Sequence, residues 1–516
     1  MKTHAVIPRR GTRPDSRDRR IHKLEAILDV AKAMATERDL HVLLMHIVEH
    51  ARRVVAADRG SIFLLDRDRN ELWSKVAQGA KEIRFPADKG IAGWVAQTRT
   101  PLNIPDAYSD PRFNPAVDKA TGYHTRNMLT VPMLSTKEEV VGVLQVLNKD
   151  PGELRSTVRR SDSGPPFNAE DEEMLLAFGG QAAAAIENAI LYDDINKLFE
   201  GFIAASVVAI EARDPTTFGH SGRVATLACG LAEVVDRVHV GPYAAVRFDY
   251  DQMKEIRYAS LLHDFGKLGV RENVLVKAEK LHPGEGRLLK ARFEFIKRTL
   301  EKEALERKVS VYQFSDPRET AKLLAGIDAD LARRLAEADD LMEFVMACNV
   351  PTVLMKGGFE RLNEISALTY HAFDGMKPYL TGHELVSLSI PQGNLTNEDR
   401  MEIESHVTHT YRFLATIPWT SKLRRIPEIA FGHHERLDGK GYPRGISAAE
   451  IPVQTRIMTI GDIFDALTAS DRPYKKAVSV SGALDILNAE AKGGKVDSDL
   501  LRLFIDARVY DRIARP

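Results

Sequence analysis

The chain has 516 residues, 44% of them hydrophobic and 28% charged, with 34 Gly and 24 Pro; this lies close to the soluble globular average and excludes a disordered chain or a collagen-like fibre. At roughly 150 residues per domain the length allows about three domains, each able to bury a core. Formal charge is −1, from 72 Lys+Arg against 73 Asp+Glu, so no electrostatic surplus favours a polymeric nucleic acid or an anionic membrane as partner.

Residues 1–20 are rich in Arg, Pro and Asp and predict a disordered basic tail. From Ile21 apolar residues recur at three and four, through Leu24, Ile27 and Leu28, then Leu40, Leu43, Leu44 and Ile47, which predicts two amphipathic helices. SIFLLD (Ser61 to Asp66), MLTVPML (Met128 to Leu134) and VVGVLQVLN (Val140 to Asn148) predict strands of an α+β sensor domain over 21–190. A Ser/Arg/Gly/Pro-rich loop between Pro151 and Pro166 precedes a long helix from Ala169 to about Ala212. Phe178, Ala185, Tyr192 and Phe199 repeat every seven along it, as do Ala182, Ala189, Asn196 and Ile203. This seam predicts a signalling helix over 175–205 and a parallel homodimer, against the alternative of a helix packed within one subunit.

Beyond residue 212 the pattern is helical and predicts an all-α domain in two parts, 205–281 and 395–516, split by a charged helical insertion over 282–394. The two cysteines, Cys229 and Cys348, are too few for a disulfide framework or a thiolate zinc site. The N-terminus lacks an apolar signal region, and no uncharged apolar run reaches the roughly 18 residues of a membrane span. A soluble cytoplasmic protein without a membrane span is expected.

The chemistry-bearing residues are scattered: His220, His263, Asp264, His406, His433, His434 and Asp462. Imidazole and carboxylate donors suit first-row ions such as iron or manganese, and a carboxylate can bridge two of them. A lone His beside an apolar helical stretch is usually a satisfied core residue, but several beside Asp in one domain favour a metal site.

FGHSGRVA, LLHDFGKLGV, HHERLDGKGYPRG and GDIFDALTASDRPY resemble the HD-GYP family of cyclic dinucleotide phosphodiesterases, over about 205–281 and 395–510 and in the family's order. The resemblance implies two divalent ions held by His220, His263, Asp264, His433, His434 and Asp462, with Asp264 bridging. His406, eleven residues after Leu395, takes the family's further histidine position, and His282 in HPGEG is a decoy for it. Asp264 and Lys267 then serve catalysis, Lys267 placing a cation on the phosphate in the transition state. Lys267, Arg472, Lys475 and Asp465 form the substrate set, Asp465 by supporting the metal ligands. Tyr442 and Pro443 shape a Gly-rich loop. Where some family members carry a Glu that recruits a third metal, this chain has Thr216, so a binuclear site is expected. The implied activity linearises cyclic di-GMP, with onward hydrolysis to GMP left open; cyclic GMP-AMP as substrate, or a silent dinucleotide-binding scaffold, are the alternatives.

KGIAGWVAQTRTPLNIPDAYSDPRFNPAVDKATGYHTRNMLTVPM and then VVGVLQVLNK resemble a GAF domain over about 22–190. Asn148 and Lys149 followed by Phe167, Asp171 and Glu172 match the motif of GAF domains that bind cyclic nucleotides, in which Lys149 would pair with Asp171 as a brace. Cyclic AMP or cyclic GMP, a different small ligand, or a purely structural dimerisation role are the implied options. A bilin held through a thioether is excluded by the lack of Cys; a noncovalent haem is left open.

Overall fold

The computed structural model describes residue 37 and residues 39–74, 83–150, 165–214, 218–354, 356–469 and 477–513. The expected basic tail, the first amphipathic helix from Ile21, most of the Pro151 to Pro166 loop, Thr216, Arg472 and Lys475 lie outside the described residues. The chain divides into two compact units, Met1–Glu200 and Gly201–Pro516.

In the first unit, helix α1 (Leu40–Val54) starts where Asp39 accepts from the amides of His41 and Val42. It is followed by β1 (Ala57–Asp66), β2 (Glu71–Ser74), β3 (Ile83–Pro86), α2 (Gly90–Thr98), β4 (Leu102–Ile104), α3 (Pro115–Thr121), β5 (Met128–Leu134), β6 (Val140–Lys149) and the long α4 (Ala169–Arg213). The strands form one antiparallel sheet in the order β3-β2-β1-β6-β5-β4. Leu43 and Ile47 of α1 and Leu175, Phe178 and Ile186 of α4 pack on Val131, Leu144 and Val146 of the sheet. The three strands expected from the sequence are present, with β1 beginning four residues early at Ala57 because its N-terminal half pairs with β6 through Arg59↔Leu147.

The heptad seam divides. Phe178, Ala182, Ala185 and Ala189 are buried in the core of this unit, as the single-subunit alternative requires. Tyr192 is exposed, and the exposed apolar row runs instead through Leu191, Ile195, Leu198 and Phe202, spaced four, three and four. Among the described residues only α4 is long and apolar enough to cross a membrane, and half of its most apolar 18-residue window is buried.

The second unit opens on the C-terminal part of α4 and continues with α5 (His220–Asp236), α6 (Tyr250–Leu262), a 3-10 turn (Phe265–Gly269) and α7 (Glu272–Leu275). The insertion follows: α8 (Pro283–Phe314), α9 (Pro317–Asn349), α10 (Gly358–Ala367), β7 (Thr369–Ala372), β8 (Gly375–Pro378) and α11 (Gly382–Leu388). Ion pairs Lys297–Asp339, Arg334–Glu303 and Arg307–Asp330 set α8 antiparallel to α9. The all-helical expectation fails at β7–β8, a hairpin turning at Phe373 and Asp374, where Gly375 at φ 115° supplies a backbone geometry that other residues resist. The chain returns through α12 (Asn397–Thr416), α13 (Ile426–Phe431), α14 (Val453–Thr468), α15 (Val480–Lys492) and α16 (Ser498–Asp506).

Candidate metal centre

His220 opens α5, His263 and Asp264 follow the last turn of α6, His406 faces inward from the middle of α12, His433 and His434 follow α13, and Asp462 lies on α14. The fold brings all seven together. Ligand atoms lie within 4.8 Å of one another in three groups: His406, His433 and His434; His220, His263 and Asp264; and His263, His433 and Asp462. His282 joins none of them and stands at the start of α8, its amide donating to Glu285 at 2.9 Å.

Three of the rings are fixed by the backbone. His263 Nδ1 donates to the Ser260 carbonyl at 2.7 Å, His406 Nδ1 to Ile403 at 2.5 Å and His433 Nδ1 to Ala430 at 2.7 Å. A carbonyl only accepts, so each ring carries a proton on Nδ1, and in its neutral form presents a bare lone pair on Nε2. All three Nε2 atoms are buried and have no hydrogen-bond partner. They face carboxylates: His406 Nε2 is 3.3 Å from Asp264 Oδ1, and His263 Nε2 is 3.5 Å from Asp264 Oδ2 and 3.7 Å from Asp462 Oδ1. Lone pair against lone pair is repulsive unless a cation or a proton lies between. The donor set therefore fits divalent first-row ions, and the two Asp264 oxygens face different histidines, as a shared carboxylate would.

The electrostatics divide the histidines, lowering His433 and His434 and raising His220 and His263. Burial, helped by the neighbouring rings, pushes His433 well below the usual histidine value, and burial pushes His434 down to about 4. Burial opposes ionisation of Asp264 and Asp462 too. It is outweighed by Lys267 and His263 beside Asp264, and by His220 and His263 beside Asp462, so both carboxyls stay well below their usual range. For His220 burial loses to Asp462 and Asp465, and the pKa rises to about 9. At neutral pH the centre thus offers anionic carboxylates beside neutral His433 and His434.

Asp465 accepts from Arg223 Nε at 2.6 Å and meets His220 Nδ1 at 2.7 Å, buried to 1% exposure. Grouped with the substrate set by sequence as a support for the metal ligands, it stands behind His220 and orients its ring. Sequence reasoning missed Arg223, although HSGRV displays it one turn after His220. Lys267 reaches Asp264 Oδ2 at 2.9 Å.

The Gly-rich loop packs backbone to backbone on the His433–His434 turn: a Cβ on Gly441 would lie 2.4 Å from Arg436 N. Tyr442 donates its amide to His434 O at 3.2 Å and sets its ring 4.8 Å from the His434 ring. Buried Glu435, another residue missed from sequence, accepts from the amides of Arg444 and Ile446 and closes the loop. The loop thus holds His434 in place, a role the sequence did not assign to Tyr442.

The first unit holds a cavity of about 690 Å³ lined by Arg59, Lys89, Arg112, Asp118, Phe85 and Phe113 among others. Beside it Asn148 accepts from Arg126 N at 2.6 Å and donates to Tyr123 Oη and the His124 carbonyl, so it shapes a loop that lines the cavity. Lys149 pairs with Asp171, and buried Phe167 lies under the Lys149 ammonium at 5.7 Å. Half-buried Glu172, on the first turn of α4, donates its amide to Asn168 O.

An α+β sensor unit and a helical unit with a His/Asp centre define the class. A model of the GAF domain family matches residues 39–186 and one of the HD domain family matches residues 381–500; the chain carries a GAF domain and an HD domain of the HD superfamily. His220, His263 and Asp264 lie ahead of the HD match. The chain is 33% identical over 199 residues to a probable 3',5'-cyclic phosphodiesterase, pde-5, of Caenorhabditis elegans, across 36% of this chain and 25% of that relative. Among solved structures it is similar to the GAF domain of an Acinetobacter phosphoenolpyruvate-protein phosphotransferase, with 19% identity, 34% of this chain, 98% of that chain and TM-score 0.27. A free methionine-R-sulfoxide reductase of Neisseria meningitidis matches with 15% identity, 34% and 96% coverage and TM-score 0.27.

Proposed function

We propose that the chain is a GAF-regulated, metal-dependent phosphodiesterase of the HD-GYP type that linearises cyclic di-GMP and carries it onward to GMP. The observation that carries this reading is the convergence of three buried, partnerless Nε2 atoms with Asp264 and Asp462 beside the Lys267 ammonium. The GYP loop on His434 and the similarity to the worm 3',5'-cyclic phosphodiesterase support it. Two bound divalent ions, iron or manganese, would supply a hydroxide at neutral pH and neutralise phosphoryl charge. His220, His263, His406, His433 and His434 with Asp264 and Asp462 would hold them, while Lys267 offers its cation to the phosphate. Arg472 and Lys475 complete the anion contacts in this reading. The GAF cavity takes cyclic AMP or cyclic GMP as regulator, and the exposed Leu191, Ile195, Leu198 and Phe202 row pairs with a second copy of α4.

The test is a product assay on anaerobically purified protein of known metal content, given cyclic di-GMP or cyclic GMP-AMP, with products resolved by chromatography. Linear dinucleotide or GMP, absent in His263→Ala and Asp264→Ala, is expected. Preferential turnover of cyclic GMP-AMP would reassign the substrate, and tight binding without product from fully metallated protein would make the chain a receptor.

A further inference from the structure

Lys267 has a second carboxylate. Its ammonium lies 2.9 Å from Asp264 Oδ2 and 3.1 Å from Asp214 Oδ2, the Asp214 side chain being 7% exposed. Asp264 Oδ2 is also the oxygen that faces His263 at 3.5 Å and His220 at 3.9 Å. A metal ion taken up by His220, His263 and Asp264 would therefore share one oxygen with the Lys267 ammonium, and two cations on one oxygen repel. The displaced ammonium needs an anion within reach that the metal does not use.

Asp214 answers that need. It directly follows α4, and its amide donates to Ile210 O at 3.0 Å. Both flanks are anchored: Glu211 accepts from Gly219 N at 2.8 Å, one residue before His220, and Arg213 pairs with Glu272 at 2.9 Å. The backbone on either side of Asp214 is thus anchored by contacts of Glu211 and Arg213 rather than by the metal ligands' side chains. We infer that Asp214 is a positioning residue that takes up the Lys267 ammonium when cations occupy Asp264, holding it at the edge of the centre. The inference rests on the metal-site part of the reading above and is independent of the substrate.

Calorimetric titration of the cation-free full chain with manganese tests it. Asp214→Asn keeps the shape and removes the charge, leaving Lys267 to compete for Asp264, so manganese binding should weaken about tenfold; Asp214→Glu should restore most of it. In a Lys267→Gln background the competitor is gone, and adding Asp214→Asn should change affinity less than about twofold, the non-additivity expected of coupled residues. A purely structural role would give the same loss in both backgrounds, and that result, or wild-type affinity in Asp214→Asn, overturns the inference. Should Asp214→Asn fold poorly by circular dichroism, the Asp214→Glu chain and the charge-neutral double variant carry the comparison. The expected manganese pattern without dinucleotide turnover would sink the phosphodiesterase reading and sustain this one; a wild-type chain that binds no manganese would sink the metal site itself.

Discussion

The Thr410 hydroxyl donates to the His263 carbonyl at 2.9 Å and accepts from Gly266 N at 2.8 Å, so one fully buried side chain of α12 grips both ends of the turn that carries Asp264. The grip depends on contact closer than a side chain permits: a Cβ on Gly266 would lie 1.9 Å from His406 O. Thr410→Val keeps the volume but strands two buried backbone groups, and should cost about 1–3 kcal/mol of stability. Denaturant unfolding with metal quantification checks it; both stability and bound metal should fall, and Thr410→Ser should recover both. Wild-type stability in the valine variant would mean that the turn holds its shape without α12.

Asp465 gives a separable effect. It contacts no ligand position of its own and acts through His220 Nδ1 at 2.7 Å, with Arg223 holding its other oxygen at 2.6 Å. Asp465→Asn retains the size and weakens both links, and such outer partners typically contribute about 10–100-fold to metal affinity. Metal titration should show a loss in that range with little change in overall fold by circular dichroism. Undiminished affinity would show that α5 alone orients His220.

In the GAF domain the Lys149–Asp171 pair is largely buried, with side-chain exposures of 17% and 6%, and Asp171 also accepts from Asn168 N at 2.8 Å. Lys149→Met leaves a buried carboxylate without its cation and should cost about 3–5 kcal/mol, whereas Lys149→Met with Asp171→Leu should recover most of that. Scanning calorimetry of the full chain reads both. If the double variant is no better than the single one, the stabilisation lies in the Lys149 stem packing rather than in the charge pair.

The convergence of the seven His and Asp residues was legible because these donors sit in short local motifs, and that of His406 because its distance from Leu395 survives the insertion. Thr410, Asp214 and Glu435 were not, since their roles arise from contacts that sequence spacing does not encode: Thr410 meets His263 across 147 positions. The α4 seam was read one face away from the exposed row. A heptad count cannot tell which residues of a continuous apolar helix face the sheet, and Phe178, Ala182, Ala185 and Ala189 do. The β7–β8 hairpin was lost for a related reason: two four-residue strands between helices give too short an alternation to outweigh the surrounding helical period.

Within the insertion, Arg292 of α8 meets Glu384 of α11 through both guanidinium nitrogens at 2.6 and 3.1 Å. Burial pushes the Glu384 carboxyl up, but Arg292 and the Thr381 cap outweigh it and hold the pKa below the ordinary 4.5. A carboxyl whose pKa is lower folded than unfolded contributes stability that is complete above the unfolded value and is lost as pH falls through the folded one. Arg292→Met should therefore destabilise the protein by about 3 kcal/mol near neutrality, where Glu384 is left charged and buried. Toward about pH 3 the gap between variant and wild type should narrow, because protonated Glu384 no longer needs the cation. Urea unfolding at both pH values measures it; a gap that stays constant would place the contribution of Arg292 in its bond to the Tyr379 carbonyl at 3.0 Å instead of in the charge pair.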